Sequence, residues 1–425
     1  MDDFKFETLA LHAGHTVDND TLSRGVPIYR TSSYLFRDTE HAANLFGLKE
    51  MGNIYTRLMN PTQDVLEKRV AALEGGVAAL ALASGTSAIF YTIINICKQG
   101  DEVVAANNLY GGTYTQFDTI LPQLGVTVRL VDPSDPANFA AAVNERTRAI
   151  YCETIGNPGL DMTDLEAVSK VAKKHHLPLI VDSTFTPPCL LRPLEHGADI
   201  VLHSLTKWMG GHGVAVGGIV VDGGTFDWTD SRFTLYNEPD PSYHGLRYGH
   251  DLGELSPMAF ALRMRLVALR NLGACISPDN AWCFLQGLET LALRMERHCA
   301  NAQAVADYLN GHDQVEWVRY PGLEENGPAR RYLKNGFGGM VACGLKSGRA
   351  GGQKFIEALR LFSHLANVGD AKSLAIHPAT TTHSQLSKEQ LEDAGLSESM
   401  IRLSVGIENI DDILADLDQA LSACA

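Results

Sequence analysis

The sequence lacks any apolar run long enough to cross a membrane as a helix. Such a helix needs roughly 18 or more consecutive apolar residues, and no stretch of the 425 residues approaches that length. The first residues, Met1 to Phe6, include two aspartates where a secretory signal has basic residues and then an apolar core. We therefore expect no membrane partner and a cytoplasmic protein.

Positive charge is also scarce. The chain has 35 Lys and Arg against 50 Asp and Glu, which gives a formal net charge of -15. Nucleic-acid binding depends on clustered Lys and Arg, so we expect no nucleic-acid partner. The hydrophobic fraction of 45% and the charged fraction of 20% are typical of a globular enzyme.

Metal-binding and disulfide patterns are missing as well. The eight cysteines are scattered without C-x-x-C spacing, which favours neither a zinc site nor a disulfide framework. The histidines form no H-E-x-x-H or H-x-x-x-H pattern. We therefore expect no metal and mostly buried thiols.

What the sequence does contain is an alternation of short apolar runs and helix-length amphipathic stretches. The runs are 78–82, 102–105, 127–131, 149–152, 179–181, 200–202 and 219–221. This rhythm predicts a largely parallel sheet wrapped by helices. In such sheets ligands bind beyond the carboxyl ends of the strands, so the residues after each run are the place to look for a site.

The length and the composition along the chain predict three parts. Single hydrophobic cores stop growing at roughly 250 to 300 residues. Residues 1–62 are dense in turn residues and predict an extended N-terminal arm. Residues 63–265 hold the alternating block and predict a large domain, and residues 266–425 predict a smaller α+β domain.

The richest strand end is the segment from Ser204 to Lys207. An extended backbone would point Ser204 and Thr206 to one side and Lys207 to the other, where two hydroxyls and an amine could meet one ligand. Ser204 and Lys207 also match the S-x-x-K motif of serine acylation. That reaction needs S-D-N and K-T-G elements, and the sequence has neither.

Two other strand ends carry functional groups. Asp182 directly follows an apolar run, where a carboxylate can pair with a buried cation. Gly85 and Thr86 lie in a turn that leads into a helix, whose free N–H groups and dipole favour a phosphate. Each signal is weak alone.

Several segments in one order resemble a known family: 11–14 (LHAG), 27–29 (PIY), 55–62 (YTRLMNPT) and 401–408 (IRLSVGIE). With the Lys207 segment they resemble the Cys/Met-metabolism family of pyridoxal-phosphate enzymes over nearly the whole chain. The resemblance implies an α/β, aspartate-aminotransferase-like protein of fold type I. Its sheet would be mostly parallel and seven-stranded with helices on both faces, beside a smaller α+β C-terminal domain.

The resemblance implies pyridoxal 5'-phosphate as cofactor and gives the candidate residues their roles. Lys207 would bind the cofactor covalently and then move protons, and Asp182 would contact the pyridine nitrogen and keep it protonated. Tyr110 would stack on the ring and assist proton transfer. Thr184 is implied as a further cofactor contact.

Phosphate and substrate contacts follow from the same resemblance. The implied phosphate contacts are the backbone of Gly85 and Thr86, the hydroxyls of Ser204 and Thr206, and the side chains of Tyr55 and Arg57. In the family the last two come from the neighbouring subunit, which implies that the arm contacts a second chain in a dimer with shared active sites, assembled further into a homotetramer. Arg402 would bind the substrate carboxylate, with Asn157 and Ser373 beside it.

Within the family, segments 367–374 (NVGDAKSL), 241–245 (PSYHG) and 286–291 (QGLETL) resemble the sulfhydrylase branch. This implies γ-replacement on O-acetyl-L-homoserine by sulfide or methanethiol, which gives L-homocysteine or L-methionine and acetate. Two positions depart from the family pattern: Thr86 stands where a larger side chain is common, and Ser183 where Asn is common. A backbone contact at Thr86 would be little affected, and the residues give no account of Ser183.

Other activities on the same fold stay open. They are cystathionine γ-synthase, O-succinylhomoserine sulfhydrylase, and methionine or cystathionine γ-lyase. A non-catalytic binding protein of this fold is a rival of another class. Such a protein has no need of Lys207, Asp182 and Arg402 together, which makes an enzyme the favoured interpretation.

Overall fold

The computed structural model describes residues 4–381 and 397–424. Its larger sheet has seven strands: β1 (Ala78–Leu82), β2 (Glu102–Ala106), β3 (Thr127–Val131), β4 (Thr147–Glu153), β5 (Leu179–Asp182), β6 (Ile200–Ser204) and β7 (Gly218–Asp222). They lie in the order β1-β7-β6-β5-β4-β2-β3. The pairs from β6 to β3 are parallel, and β7 is antiparallel to both neighbours. The predicted sheet and all seven of its apolar runs are confirmed.

The helices cover the faces of this sheet and continue into the second unit. They are α1 (Phe6–His12), α2 (Thr39–Phe46), α3 (Pro61–Glu74), α4 (Gly85–Ile96), α5 (Gly111–Thr115), α6 (Leu121–Gln123), α7 (Pro136–Ala142), α8 (Leu165–Lys174), α9 (Thr234–Asn237), α10 (Ala259–Arg263), α11 (Arg270–Leu272), α12 (Pro278–Glu289), α13 (Leu291–Asn310), α14 (Pro328–Tyr332), α15 (Gly348–Ala358) and α16 (Ile410–Ser422). No helix of the described ranges is long and apolar enough to cross a membrane.

Local sequence explains where the site-bearing elements begin. The middle strands β5 and β6 are apolar runs because both faces of the sheet are covered. Helix α3 begins after Asn60, whose side chain accepts the N–H of Thr62, with Pro61 at the first position. Helix α4 begins after Ser84, which caps it by accepting the N–H of Ser87.

A second sheet forms the C-terminal unit. Its strands are β8 (Val315–Arg319), β9 (Met340–Leu345), β10 (Ser363–His364), β11 (Leu374–Ile376) and β12 (Met400–Ser404), in the order β10-β11-β12-β9-β8. Helix α13 joins the two cores: Leu291 and Met295 pack in the first, and Val305 and Leu309 in the second. The division at residue 265 stays a prediction.

Residues 4–60 hold α1 and α2 and are otherwise irregular. Helix α1 packs on α3 and α12, so the beginning of the predicted arm is tied to the large unit. Further along, large apolar side chains are exposed, including Leu22 at 73%, Leu35 at 97% and Met51 at 58%. Such a concentration of exposed apolar side chains is unusual on a free protein surface.

Candidate active site

Lys207 lies in the turn that follows β6. The turn is closed by hydrogen bonds from Lys207 N to Ser204 O at 3.2 Å and from Gly211 N to Lys207 O at 2.8 Å. The amine donates to Asn367 Oδ1 at 2.5 Å. Burial, and then the nearby charge of Arg402, lower the pKa of Lys207 to about 8, which makes the neutral, nucleophilic amine accessible near neutral pH.

Asp182 ends the neighbouring strand β5 and is only 8% exposed. Its carboxylate accepts the N–H of Thr184 at 2.9 Å and the hydroxyl of Tyr151 at 3.4 Å. Burial raises the pKa of Asp182, while the Thr184 contact opposes that rise. Thr184 Oγ1 in turn accepts the backbone N–H of Ser204 at 2.9 Å, which ties the ends of β5 and β6 together.

The beginning of α4 forms a narrow cradle against the end of β6. A Cβ placed on Gly85 would lie 2.8 Å from Ser204 Cβ, so glycine is needed for this approach. The Ser84 hydroxyl lies 2.9 Å from Thr86 Oγ1, and the Thr86 carbonyl accepts from Gln116 Nε2 at 3.0 Å. The first turn of α4 thus lies directly beside Ser204.

Thr206 is close to this cradle, but its hydroxyl is already hydrogen-bonded to the backbone of its own chain. Its hydroxyl donates to Gly217 O at 3.2 Å and accepts from Gly217 N at 3.1 Å. These two bonds join the Lys207 turn to the segment that leads into β7. A phosphate contact by Thr206, as predicted, requires that the hydroxyl exchange one of these partners.

Tyr110 caps the N-terminus of α5, at the carboxyl end of β2. Its backbone N–H donates to Glu153 Oε1 at 2.7 Å, and its side chain is 47% exposed. Glu153 ends β4 and lies opposite Asp182 in the register of the sheet. Burial and the charge of Asp182 raise the pKa of Glu153 well above its usual range.

Arg402 reaches the same cleft from β12 of the second sheet. Its Nη1 donates to Asn157 Oδ1 at 2.8 Å, and no carboxylate of the described residues forms an ion pair with it. Burial lowers the pKa of Arg402 to about 10, with a partly compensating effect of Tyr110. A half-buried guanidinium without a carboxylate is suited to bind the carboxylate of a ligand.

Ser373 is not directed at Arg402 through its hydroxyl. The hydroxyl donates to Glu408 Oε2 at 2.9 Å and accepts from Gly406 N at 2.9 Å, and the side chain is fully buried. The Ser373 N–H donates to Glu408 Oε1 at 2.6 Å. In this conformation Ser373 fixes the loop beside β12, and its predicted substrate contact stays a prediction.

Tyr55 and Arg57 are not brought to this cradle by their own chain. Both are exposed, and the Arg57 guanidinium lies over the Tyr55 ring at 5.2 Å from its centroid. Arg57 forms no hydrogen bond or ion pair with any described residue. This placement leaves both side chains able to reach outwards.

Two residues of the site were not predicted. Asn367 lies 160 positions from Lys207, and the sequence segment that contains it was used only for the resemblance. Glu153 ends an apolar run just as Asp182 does, and that shared position was an available signal. Ser183 now has an account: its buried hydroxyl donates to Thr186 O at 2.8 Å and shapes the turn after β5.

The residues fit pyridoxal phosphate. Because Gly85 has no Cβ, the N-terminus of α4 lies against Ser204, and a helix N-terminus beside a hydroxyl is suited to a phosphate. Asp182 is a buried carboxylate that no Lys or Arg of the described ranges neutralises. A protonated ring nitrogen would neutralise it. Lys207 supplies an amine of lowered pKa that can bind an aldehyde.

Comparisons with known proteins agree with this geometry. O-acetyl-L-homoserine sulfhydrylase of Leptospira meyeri is 56% identical over 98% of this chain and 97% of that protein. Homocysteine synthase of Schizosaccharomyces pombe is 51% identical over 98% of each chain. The crystal structure of a putative O-acetylhomoserine (thiol)-lyase from Campylobacter jejuni, with N'-pyridoxyl-lysine-5'-monophosphate, superposes with a TM-score of 0.94 at 42% identity and covers 99% of this chain and 100% of that one. Since the model of the Cys/Met metabolism PLP-dependent enzymes matches residues 7–422, the chain belongs to that family, and its fold and cofactor are those of a PLP-dependent enzyme.

Proposed function

We propose that the chain catalyses γ-replacement: O-acetyl-L-homoserine and sulfide give L-homocysteine and acetate, and methanethiol in place of sulfide gives L-methionine. The observation that carries the proposal is end-to-end similarity to proteins named for this reaction. The cleft adds the required groups, since Lys207 and Arg402 are close enough for the charge of one to lower the pKa of the other.

The chain's own residues account for substrate binding and proton movement. Arg402 binds the α-carboxylate, with Asn157 orienting the guanidinium. When bound, pyridoxal phosphate stabilises the negative charge that develops on the substrate carbons. Lys207 Nζ would take the α-proton, release it to the bound substrate and cofactor, and as a neutral amine again take a β-proton, with Tyr110 at the rim of the cleft assisting. Asp182 keeps the ring nitrogen protonated.

The leaving and entering groups meet at the γ-carbon. The bond from Cγ to the ester oxygen breaks and acetate departs with the electron pair. The sulfur of hydrosulfide then forms the new bond to Cγ, and Lys207 returns protons to the β- and α-carbons. A cysteine acceptor would bring its own ammonium and carboxylate, each needing a buried partner, so we propose sulfide first and methanethiol second.

We also propose a homo-oligomer with shared sites, in which Tyr55 and Arg57 reach the phosphate of a neighbouring subunit. Their exposure and the exposed apolar side chains of the arm support this. We extend the proposal to a homotetramer. The eight cysteines are all free, which favours a reducing compartment, and we propose the cytoplasm.

Initial rates with different acceptors and esters test the reaction. Purified holoenzyme receives O-acetyl-L-homoserine with sulfide, methanethiol or L-cysteine at equal concentration, and O-succinyl-L-homoserine in a parallel series. We expect homocysteine to form fastest, from the acetyl ester. Faster formation of cystathionine would make a cystathionine γ-synthase the better assignment, and faster use of the succinyl ester would change the substrate.

Lys207→Ala tests the catalytic lysine, with Lys372→Ala as matched control. Lys372 is an exposed lysine that pairs with Asp370 outside the cleft. We expect Lys207→Ala to lose turnover while keeping its fold, and Lys372→Ala to keep both. Borohydride reduction and peptide mapping should place the cofactor on Lys207, and a label on another lysine would refute the assignment.

A further inference from the structure

Two buried carboxyl groups end neighbouring strands beneath the site. Glu153 on β4 and Asp182 on β5 face each other in register, and they are 7% and 8% exposed. Strands in a sheet are about 4.8 Å apart, so the two groups are close neighbours. The catalytic scheme uses Asp182 and leaves Glu153 without a role.

The surroundings of Glu153 favour its neutral form. The titratable groups that interact with it are Asp182 on β5 and Tyr151 and Cys152 on its own strand, and Tyr110 contacts it through the backbone N–H. None of these is cationic, and in the described residues no Lys or Arg pairs with it. Two neighbouring buried carboxyl groups disfavour a second negative charge. Asp182 accepts two hydrogen bonds and Glu153 one, which favours the charge on Asp182.

Glu153 also holds the backbone on which Tyr110 depends. Its Oε1 accepts the Tyr110 N–H at 2.7 Å, at the residue where the chain turns from the β2 loop into α5. A second bond, from Asn157 N to Asn108 O at 3.1 Å, anchors the same loop two residues earlier. Since the Tyr110 ring is half-exposed, these backbone bonds fix the direction in which it leaves the chain.

We propose that Glu153 is a positioning residue that acts as a neutral hydrogen-bond acceptor, holding the Tyr110 backbone so that the phenol ring lies over the cofactor and leaving the negative charge to Asp182. This proposal rests on the proposed function, which gives the Tyr110 ring its role. Neutrality matters because a second negative charge beside Asp182 would repel the Asp182 carboxylate and disfavour its ionised form.

Two variants of nearly equal size separate the acceptor from the charge. Glu153→Gln keeps a neutral carbonyl acceptor, so we expect kcat within about twofold of the parent and an unchanged pH profile. Glu153→Met removes the acceptor and leaves the Tyr110 N–H unpaired, so we expect kcat to fall about tenfold. The visible circular dichroism of the bound cofactor should change with Met and not with Gln.

A double-mutant cycle with Tyr110→Ala tests whether Glu153 acts through the tyrosine ring. We expect Glu153→Met to cost little more once the ring that it positions is gone. Additive losses would overturn the proposal, as would a Gln variant impaired like Met or a Met variant that is unimpaired. If Glu153→Met does not fold, the Gln variant decides alone: a changed pH profile or dichroism refutes a neutral acceptor, and unchanged values support it.

The readouts keep this proposal separate from the assigned reaction. A parent protein that binds the cofactor but gives no homocysteine would refute the reaction alone. The dichroism of the parent, Gln and Met proteins would still report whether Glu153 holds the ring of Tyr110 against the cofactor.

Discussion

Lys207 must be neutral to bind the cofactor, so its protonation controls loading. Its pKa is lowered to about 8 from 10.5, which means that the folded protein releases the proton at lower pH than the unfolded chain. We predict that the rate of covalent cofactor binding to the cofactor-free protein rises with pH and levels off above about 8. Stopped-flow absorbance checks this, and a rate that keeps rising towards 10.5 would contradict it.

Asn367 holds the same amine without adding charge. Asn367→Asp places an isosteric carboxylate at the atom 2.5 Å from Lys207 Nζ, and an opposite charge favours the ammonium. We predict that the midpoint of the loading profile moves to higher pH, and that the loading rate at neutral pH falls about tenfold for every pH unit by which the midpoint rises. Asn367→Ser, which stays neutral, is the control. An unchanged midpoint in the Asp variant would refute the role.

Strands were easier to predict from the sequence than the contacts between them. The runs ending at Asp182 and Ser204 are nearly continuous in Val, Ile and Leu because the sheet is covered on both sides there. That pattern also located Lys207 and Asp182. Asn367 was missed because it acts through one contact between distant segments, which local periodicity does not encode. Glu153 follows an apolar run as Asp182 does, so its position was a local signal that the prediction did not use.

The loop that carries Asn367 reaches the Lys207 turn through Gly369. A Cβ on Gly369 would lie 2.6 Å from Trp208 N, and its φ of +77° already disfavours other residues. We predict that Gly369→Ala displaces the loop, so that kcat falls. The protein should lose more stability than the conformational cost of placing alanine in the left-handed region, which is about 1 to 2 kcal/mol. Thermal unfolding and steady-state kinetics measure both effects.

Gly75→Ala is the matched control for Gly369→Ala. Gly75 ends α3 with a φ of +81° and has no atom within 4 Å of an added Cβ. We expect the conformational cost alone, about 1 to 2 kcal/mol, with kcat unchanged. Equal losses of kcat in the two variants would show that strain, not displacement of Asn367, is responsible.

A site shared between subunits predicts complementation between two inactive proteins. Arg57→Ala removes a residue that each subunit contributes to its neighbour's active site. Lys207→Ala removes a residue that each subunit contributes to its own active site. Subunits mixed after mild dissociation should regain up to about a quarter of the parent activity, since roughly half the dimers are mixed and each has one intact site. Mass spectrometry verifies the mixed dimers, and no recovery in them would contradict shared sites.

The position of β1 beside β7 has a consequence for how the molecule is made. Leu82, three residues before the glycine of the cradle, pairs with Gly218, so β1 leaves the ribosome long before its partner. At about 5 to 20 residues per second, it waits on the order of ten seconds with an open edge. A nascent chain that stops before residue 218 therefore carries an aggregation-prone strand and lacks β7, which lies between β1 and β6 in the finished sheet.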